Sequence, residues 1–260
     1  AVRAAVHGRD KAGKIAGANV TPVDLDYAKP ESIADAVRRV DEVFLLTPFT
    51  QDQVDIGKRI VDAAKAAGVK HIVKLSAIGA DSEPGIQLGR WHRAVEKHIE
   101  ASGVPYTFLR PNNFFENFIN YYGPQKDGNI YLPFGTAAVS FIAGADVAAV
   151  AAHVLTTAGH EGKAYELTGP NAITVAQVAR AIGEVTGREI AYVDVPEDAA
   201  RKAMLDHGAP VWMVDAMLEL HAIDKAGWAA AVTDTVPKLL GRPAIGFQEF
   251  AQKRASAWRV

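Results

Sequence analysis

Short apolar runs rich in β-branched residues alternate with helical patterns through the first half of the chain. The candidate strands cover residues 2–6, 20–25, 43–47, 71–75 and 106–109, and segments with apolar residues at helical spacing separate them. This alternation is typical of βα units, whose successive strands run parallel to one another. The sequence therefore predicts an α/β protein with a Rossmann-type, doubly wound parallel sheet. The run at 43–47 has no polar alternation, so we expect a fully buried strand there.

Helix boundaries are also readable. Thr50 with Gln53, and Thr174 with Gln177, have the spacing of a capping box, in which each side chain bonds the other residue's backbone N–H. A further helix is expected over residues 87–102, because Gly103 follows it and glycine favours the position just after a helix.

Beyond Pro111 the regular alternation gives way to segments rich in Asn, Phe and Tyr. Substrate pockets are often built from such irregular additions. We therefore assign residues 1–111 to an NAD(P)-binding domain, with 142–169 returning to it. Residues 112–141 and 170–260 form a smaller α+β substrate-binding region. No long linker separates the two parts, and 49% hydrophobic content is enough for a shared core.

A glycine-rich turn between the first strand and first helix normally holds the pyrophosphate of a dinucleotide. The chain has no such fingerprint, and the glycines between positions 13 and 17 do not follow a strand. Residues 2–6 therefore resemble the second strand of a Rossmann unit. We expect a first βα unit of roughly 25–30 residues upstream of Ala1.

Basic residues follow this strand at His7, Arg9 and Lys11. An NAD-specific protein has an acidic residue here for the ribose hydroxyls, whereas an NADP-specific protein has basic groups for the 2′-phosphate. The segment thus favours NADP(H) over NAD(H). A solvated basic loop is the alternative.

Charge and composition exclude several classes. The 28 basic and 30 acidic side chains nearly balance, which disfavours nucleic acid or an anionic membrane as a partner, and no apolar run reaches the roughly 20 residues of a membrane span. The chain has no cysteine, which excludes disulfides and thiolate sites and fits a reducing, cytoplasmic setting. The histidines lack metal-ligand spacing, and Ser76 has no visible hydrolase partners. The oligomeric state stays open.

Several segments together, in this order, resemble one family. They are Val-Arg-Ala-Ala-Val-His at 2–7, Val-Asp-Leu-Asp at 23–26, Val-Phe-Leu-Leu-Thr-Pro at 43–48, Val-Lys-Leu-Ser-Ala at 73–77, Gly-Val-Pro-Tyr-Thr-Phe-Leu-Arg-Pro at 103–111, Asn-Asn-Phe-Phe-Glu-Asn at 112–117 and Tyr-Glu-Leu-Thr-Gly-Pro at 165–170. They resemble the NmrA-like group of atypical short-chain dehydrogenases/reductases over essentially the whole chain. That group includes NADPH-dependent quinone reductases, dye reductases, plant ether reductases and dinucleotide-binding redox sensors.

The resemblance implies positions around a cofactor. It places Asp24 and Leu25 beside the adenine, Thr47 to Phe49 along the ribose and nicotinamide, Lys74 to Ser76 at the cleft, and Pro111 with Asn112 near the carboxamide. Ordinary packing at strand ends is the alternative for Leu25 and Thr47. The full set of expected cofactor-binding residues is Arg3, His7, Arg9, Asp24, Leu25, Thr47, Pro48, Phe49, Lys74, Ser76, Pro111 and Asn112.

The catalytic expectation rests on His92. Most short-chain dehydrogenases use a Tyr-x-x-x-Lys pair for proton exchange. By the resemblance, the lysine of the ether reductases falls at His92 and the tyrosine falls near Leu88, so the pair is absent. A quinone depends less on such a relay because it accepts hydride directly, and His92 remains a candidate donor. Alternatively, His92 and Glu96 form only a surface pair one helical turn apart.

Aromatic side chains are candidates for a flat substrate wall, since aromatic rings stack well on quinone-like ligands. The candidates are Trp91, Phe115, Tyr121, Tyr122, Phe134 and Trp212. Most could equally be core, and we expect two or three to contact ligand. The sequence thus favours an NADPH-dependent reductase of quinone-like or dye-like aromatic compounds. A non-catalytic NADP(H) sensor is the main alternative; a sugar-nucleotide epimerase would lack the proton-relaying base that it needs.

Overall fold

The computed structural model describes residues 1–7, 15 and 17–258. Arg9 and Lys11 therefore lie outside the described residues. The strands are β1 Val2–Val6, β2 Val20–Asp24, β3 Glu42–Leu45, β4 His71–Leu75, β5 Tyr106–Pro111, β6 Asn129–Leu132, β7 Ala138–Val139, β8 Lys163–Leu167, β9 Ile173–Thr174 and β10 Ala191–Asp194.

The helices follow the predicted pattern closely. They are α1 Pro30–Val37, α2 Gln53–Ala66, α3 Gln87–Ser102, α4 Asn117–Asn120, α5 Gly144–Thr156, α6 Val175–Thr186, α7 Glu197–Asp206, α8 Val211–Lys225, α9 Thr235–Leu240 and α10 Phe247–Arg254, with a 3-10 helix at Ala255–Trp258. Helix α3 ends at Gly103, which has a φ of 76° that glycine adopts without strain. The predicted helix over 87–102 is confirmed.

One of the two predicted capping boxes is confirmed. Thr174 accepts a hydrogen bond from the Gln177 backbone, and the Gln177 side chain accepts one from the Thr174 backbone. The box at Thr50 and Gln53 is wrong, because α2 begins after Asp52 and makes no side-chain cap. The Thr50 hydroxyl and the Gln53 amide nitrogen are instead buried without a hydrogen-bond partner.

The described strands confirm a parallel α/β architecture. One sheet has the order β3–β4–β5–β8, and β1 pairs with β2 in a separate sheet, with every pair parallel. The expected βα unit upstream of Ala1 stays a prediction. Full burial of the strand at 43–47 is wrong: Phe44 is 42% exposed and Leu46 is 55% exposed, because β3 lies at the edge of its sheet.

Helices cover both faces of the four-stranded sheet. One apolar cluster joins α1, α2 and α3 to the sheet, and a second joins α5 and α9 to its opposite face. A third, aromatic-rich cluster joins β6, α6 and α10 in the C-terminal region. There β6 and β10 pair in parallel and β7 and β9 pair antiparallel. The assignment of domains stays a prediction. No helix of the described chain is both long and apolar enough to cross a membrane.

Helices α2 and α3 approach closely at Gly57, and this contact positions α3 for the site described below. A Cβ on Gly57 would lie 2.8 Å from Val95 Cγ2 and 3.2 Å from Thr47 Cγ2. Val95 is buried on α3. The glycine is therefore required by packing rather than by its backbone conformation.

Gly57→Ala is expected to lower the free energy of unfolding by about 1–3 kcal/mol, because overpacking outweighs the higher helix propensity of alanine. Urea denaturation measures it. In the Gly57→Ala/Val95→Ala double variant the loss should be smaller than the sum of the single losses, since the clashing methyl groups are gone. Additive losses would show that the close approach is not the cause.

Candidate functional site

The carboxyl ends of β4 and β5 and the middle of α3 bring polar side chains together. Lys74 and Ser76 come from the end of β4, Arg110 from the end of β5, and His92 with Glu96 from α3. Ligands of open parallel sheets bind at this edge, where the loops after successive strands meet. Hydrogen bonds between the strands and the helix hold these five side chains in place.

Glu96 is a fully buried carboxylate between the two strand ends. Arg110 donates to it twice, with Nε 3.0 Å from Oε1 and Nη2 2.8 Å from Oε2. Ser76 Oγ donates to Oε1 at 2.6 Å, so its hydroxyl is engaged in this network. Arg93 and Asp81 extend the network at its exposed side. The alternative of a surface pair between Glu96 and its neighbour one turn away is therefore wrong.

The Arg110 guanidinium stays charged in this setting. Burial by itself would lower the pKa of Arg110, but its contacts with Glu96 and Asp81 outweigh burial and raise the pKa above its ordinary value. The charged Arg110 side chain therefore links β5 to α3 through Glu96.

Lys74 and His92 form a second polar contact beside the first. Lys74 is fully buried, and its Nζ donates to the Leu75 carbonyl at 2.8 Å and lies 2.9 Å from His92 Nδ1. Burial lowers the pKa of Lys74 to about 7, although the charge of Glu96 opposes this. Burial and the nearby ammonium lower the pKa of His92 to about 3. His92 is therefore a neutral imidazole at neutral pH.

Phe49, Trp91 and Trp212 form an aromatic cluster, and Trp91 directly precedes His92 on α3. The ring centroids are 6.4 Å apart for Phe49 and Trp91, 5.3 Å for Phe49 and Trp212, and 6.0 Å for Trp91 and Trp212, with edge-to-face geometry throughout. These rings come from the loop after β3, from α3 and from α8. Phe49 is 40% exposed, so the cluster presents apolar ring surface to an incoming molecule.

The other predicted aromatic residues lie elsewhere. Phe115 and Phe134 are fully buried in the third core cluster, where Phe115 packs on Phe247 and Phe250 of α10. Tyr122 is buried in the same cluster, and Tyr121 is 78% exposed. The irregular segment after Pro111 thus folds onto the C-terminal helices, which uses its aromatic rings as core. Phe115 and Phe134 have no exposed ring face to offer a substrate.

Residues expected near the adenine end of a cofactor lie at the ends of β1 and β2. His7 Nδ1 is 3.2 Å from the Leu25 carbonyl oxygen, and Asp24 faces an open pocket that Arg3 also lines. The Arg3 guanidinium donates to the carbonyl oxygens of Asp35 and Arg38 in and after α1. Its hydrogen bonds therefore hold α1 against β1.

Residues expected near the nicotinamide follow β3 and β5. Thr47 and Pro48 lead from β3 into the aromatic cluster, and Pro111 ends β5. Asn112 is buried: its Nδ2 donates to Ser140 Oγ and to the Ala229 carbonyl, while its Oδ1 accepts from the next backbone N–H. All polar atoms of this side chain are used inside the protein, where they fix the chain that leaves β5.

Sequence reasoning missed a buried acid on α8. Asp224 is fully buried, and Asn113 Nδ2 lies 3.2 Å from each of its carboxylate oxygens. Burial raises the pKa of Asp224 to about 7. One turn earlier, His221 lies 3.2 Å from the Tyr122 hydroxyl, and burial lowers the pKa of His221 to about 4. No motif or spacing marks these residues, because packing of distant segments creates their environment.

No group of three or more potential metal-ligating side chains occurs within the described residues. The parallel sheet with helices on both faces, and the cleft residues at its carboxyl edge, define an NAD(P)-binding protein of Rossmann type. Family comparison agrees, since the NmrA-like family matches residues 1–227. The chain belongs to the NmrA-like family.

Several relatives are known enzymes. The chain is 39% identical to the NAD(P)H azoreductase of Xenophilus azovorans over 98% of this chain and 90% of that protein. The NADPH complex of an NADPH-dependent quinone oxidoreductase from Escherichia coli superposes with a TM-score of 0.86 at 29% identity, covering 96% of this chain and 89% of that one. The NADP(H) complex of Citrobacter sp. triphenylmethane reductase has a TM-score of 0.84 at 28% identity, covering 97% and 90%.

The ion pair of Glu96 on α3 and Arg110 on β5 is expected to contribute to the free energy of unfolding. Glu96→Gln is expected to lower the free energy of unfolding by about 3 kcal/mol, because it leaves the buried charge of Arg110 without its main partner. Urea denaturation of the wild type and the variant measures the loss. The Glu96→Gln/Arg110→Met double variant should recover part of it; a double variant less stable than the single would contradict this account.

Proposed function

We propose that this chain is an NAD(P)H-dependent oxidoreductase that transfers hydride to a quinone-like or dye-like aromatic acceptor. The observation that carries the proposal is the aromatic cluster of Phe49, Trp91 and Trp212, in which Trp91 directly precedes His92 of the Lys74–His92 pair on α3. Aromatic rings in edge-to-face contact with one another leave faces and edges for a flat conjugated ligand. The relatives reported above, named as azo, quinone and triphenylmethane reductases, support the same substrate class.

The cofactor would lie along the ends of β2, β3, β4 and β5. The end of β3 fits the flat ring of such a cofactor, because Leu46 and Phe49 leave an uncovered apolar edge there on which a ring can rest. Asp24 and Leu25 would hold the adenine end, Thr47 to Phe49 the ribose and nicotinamide, and Lys74, Ser76, Pro111 and Asn112 would shape the cleft wall. When bound, the reduced cofactor supplies the hydride.

The chain itself would position and desolvate the acceptor. Trp91 and Trp212 would orient its ring and exclude water, which brings the reacting atoms together in one geometry. His92, neutral at pH 7, would donate a hydrogen bond to the acceptor atom that gains negative charge. On α3 the positions expected for a Tyr-x-x-x-Lys pair hold Leu88 and His92, which suits such an acceptor better than an alcohol, whose oxidation needs a base at the hydroxyl.

Turnover tests the proposal directly. NADPH oxidation, followed by absorbance, should depend on added naphthoquinone, azo dye or triphenylmethane dye. A non-catalytic NADP(H) sensor would bind the cofactor, as measured by fluorescence titration, but would oxidise it no faster with any acceptor. Tight NADPH binding with no acceptor-dependent turnover would therefore reject the reductase and favour the sensor.

The aromatic cluster predicts a specific loss. Trp212→Leu should raise the KM for a naphthoquinone about fivefold and leave the KM for NADPH within a factor of two, since one aromatic contact is worth about 0.5–1.5 kcal/mol. Trp228→Leu is the matched control, because Trp228 is 78% exposed and outside the cluster. Equal effects of the two variants would contradict the assigned role of Trp212.

Preference for NADP(H) over NAD(H) is part of the proposal and rests on the basic segment after β1. The His7→Glu/Arg9→Glu double variant should lower kcat/KM for NADPH at least tenfold relative to NADH, because carboxylates repel the 2′-phosphate. The matched control is Lys70→Glu, which reverses an exposed charge at the far end of β4. An unchanged NADPH to NADH ratio in the double variant would remove these residues from the cofactor site.

A small aromatic molecule is the partner that we propose, with no role for nucleic acid or membrane. The cytoplasmic location stays a prediction of the sequence.

A further inference from the structure

We propose that Lys74 is a positioning residue that holds His92 in one tautomer and returns a proton to it as the acceptor is reduced. This inference rests on the proposed function, and it assigns to Lys74 a role in proton supply beyond shaping the cofactor cleft. It applies to acceptors that need a proton as well as a hydride.

The geometry of the Lys74 contacts defines the tautomer. A lysine ammonium has three donors and no acceptor, so the atom it contacts at 2.9 Å, His92 Nδ1, must be the acceptor. A neutral imidazole with an accepting Nδ1 carries its hydrogen on Nε2. The Leu75 carbonyl takes a second ammonium hydrogen at 2.8 Å, which fixes the direction of Nζ. While Lys74 is protonated, the protein thus presents His92 as a donor through Nε2.

The Nε2 edge of His92 is available to a ligand. Within the described part of the chain, Nε2 has no hydrogen-bond partner, and it is not among the buried atoms that lack one. Trp91, the preceding residue on α3, belongs to the aromatic cluster. In the proposed arrangement, a flat acceptor held by that cluster lies close to the Nε2 hydrogen.

His92 is the side chain that Lys74 contacts, because the nearby carboxylate of Glu96 is bound by other groups. Glu96, one turn along α3, is engaged by Arg110 of β5 and by Ser76, and it influences Lys74 only through its charge. Because burial lowers the pKa of Lys74 to about 7, the ammonium can release its proton near neutral pH. A buried lysine with an ordinary pKa could not do this readily.

The proposed step balances in atoms and electrons. A quinone or azo acceptor gains hydride from the reduced nicotinamide and becomes an anion at oxygen or nitrogen. His92 would give its Nε2 proton to that atom while Lys74 gives an Nζ proton to Nδ1, which leaves a neutral amine and the other imidazole tautomer. The starting state would return when water protonates Nε2, which is not among the fully buried atoms, and Nδ1 gives its proton back to Nζ. A cationic triphenylmethane dye differs, because hydride alone converts it to the neutral leuco form and no proton is needed.

This difference between acceptors is the basis of the test. Turnover of wild type, Lys74→Met and the control Lys97→Met would be measured with a naphthoquinone and with a cationic triphenylmethane dye. Lys97 is exposed on the same helix as His92. Lys97→Met therefore makes the same change of side chain outside the site. For Lys74→Met we expect the ratio of quinone kcat to dye kcat to fall at least tenfold, within the usual range of general acid catalysis. Lys97→Met should keep the wild-type ratio.

The pH profile adds a second readout. The wild-type quinone kcat should fall as pH rises through about 7, since Lys74 is protonated below its pKa and has no proton to give above it. Lys74→Met should lack this fall. If Lys74→Met does not fold, His92→Gln is used instead. The amide still donates a hydrogen bond but relays no proton. The ratio of quinone kcat to dye kcat should therefore fall, and the fall of the quinone kcat with pH should disappear.

Each outcome has a distinct meaning. Equal loss of quinone and dye turnover in Lys74→Met, or an unchanged ratio in a folded variant, overturns the relay and leaves the proposed reductase intact. A wild type that reduces neither acceptor overturns the proposed function and this inference with it. A selective loss with quinone, together with the lost pH dependence, supports the relay.

Discussion

The buried ionic pair of Glu96 and Arg110 is the interaction on which the geometry of the cleft depends. It connects α3 to the end of β5, and the Ser76 hydroxyl adds the end of β4 to the same carboxylate. Removing two charges from water costs free energy unless hydrogen bonds within the protein replace those to water. Such a pair therefore favours the one arrangement of the three elements in which these hydrogen bonds form. We attribute the fixed position of α3 to this directional requirement, together with the close contact at Gly57.

The remaining parts of the site follow from the position of α3. Its first turns hold Trp91 and His92 over the strand ends, and Glu219 of α8 accepts a hydrogen bond from the Gln87 backbone at the start of α3. This contact aligns α8 with α3, and the aromatic ring near the start of α8 then completes the cluster. The cleft is therefore assembled by contacts between the sheet region and the C-terminal helices. A change in either part should alter how the proposed acceptor is held.

Two kinds of surface meet in this cleft, and each contributes a different part of the chemistry. In the proposed function the apolar rings would bind and orient a conjugated acceptor, while the Lys74–His92 pair would offer a hydrogen-bond donor with a buried ammonium behind it. A site of this kind can serve acceptors that need only hydride and acceptors that need a proton too. The similar proteins named as azoreductase, quinone oxidoreductase and triphenylmethane reductase include both kinds of acceptor among them.

Local patterns in the sequence determined the parallel α/β class, the helix that ends at Gly103 and the capping box at Thr174, because these depend on residues a few positions apart. Only the tertiary structure decided which aromatic rings reach the cleft and which become core, since Trp91 and Phe115 look equally apolar in sequence. The capping box at Thr50 is wrong because α2 begins at Gln53 with Asp52 as its N-cap residue, so Thr50 does not occupy the capping position. The engaged state of Glu96 and the lowered pKa of Lys74 likewise come from burial and from partners on other elements, which no spacing within the sequence records.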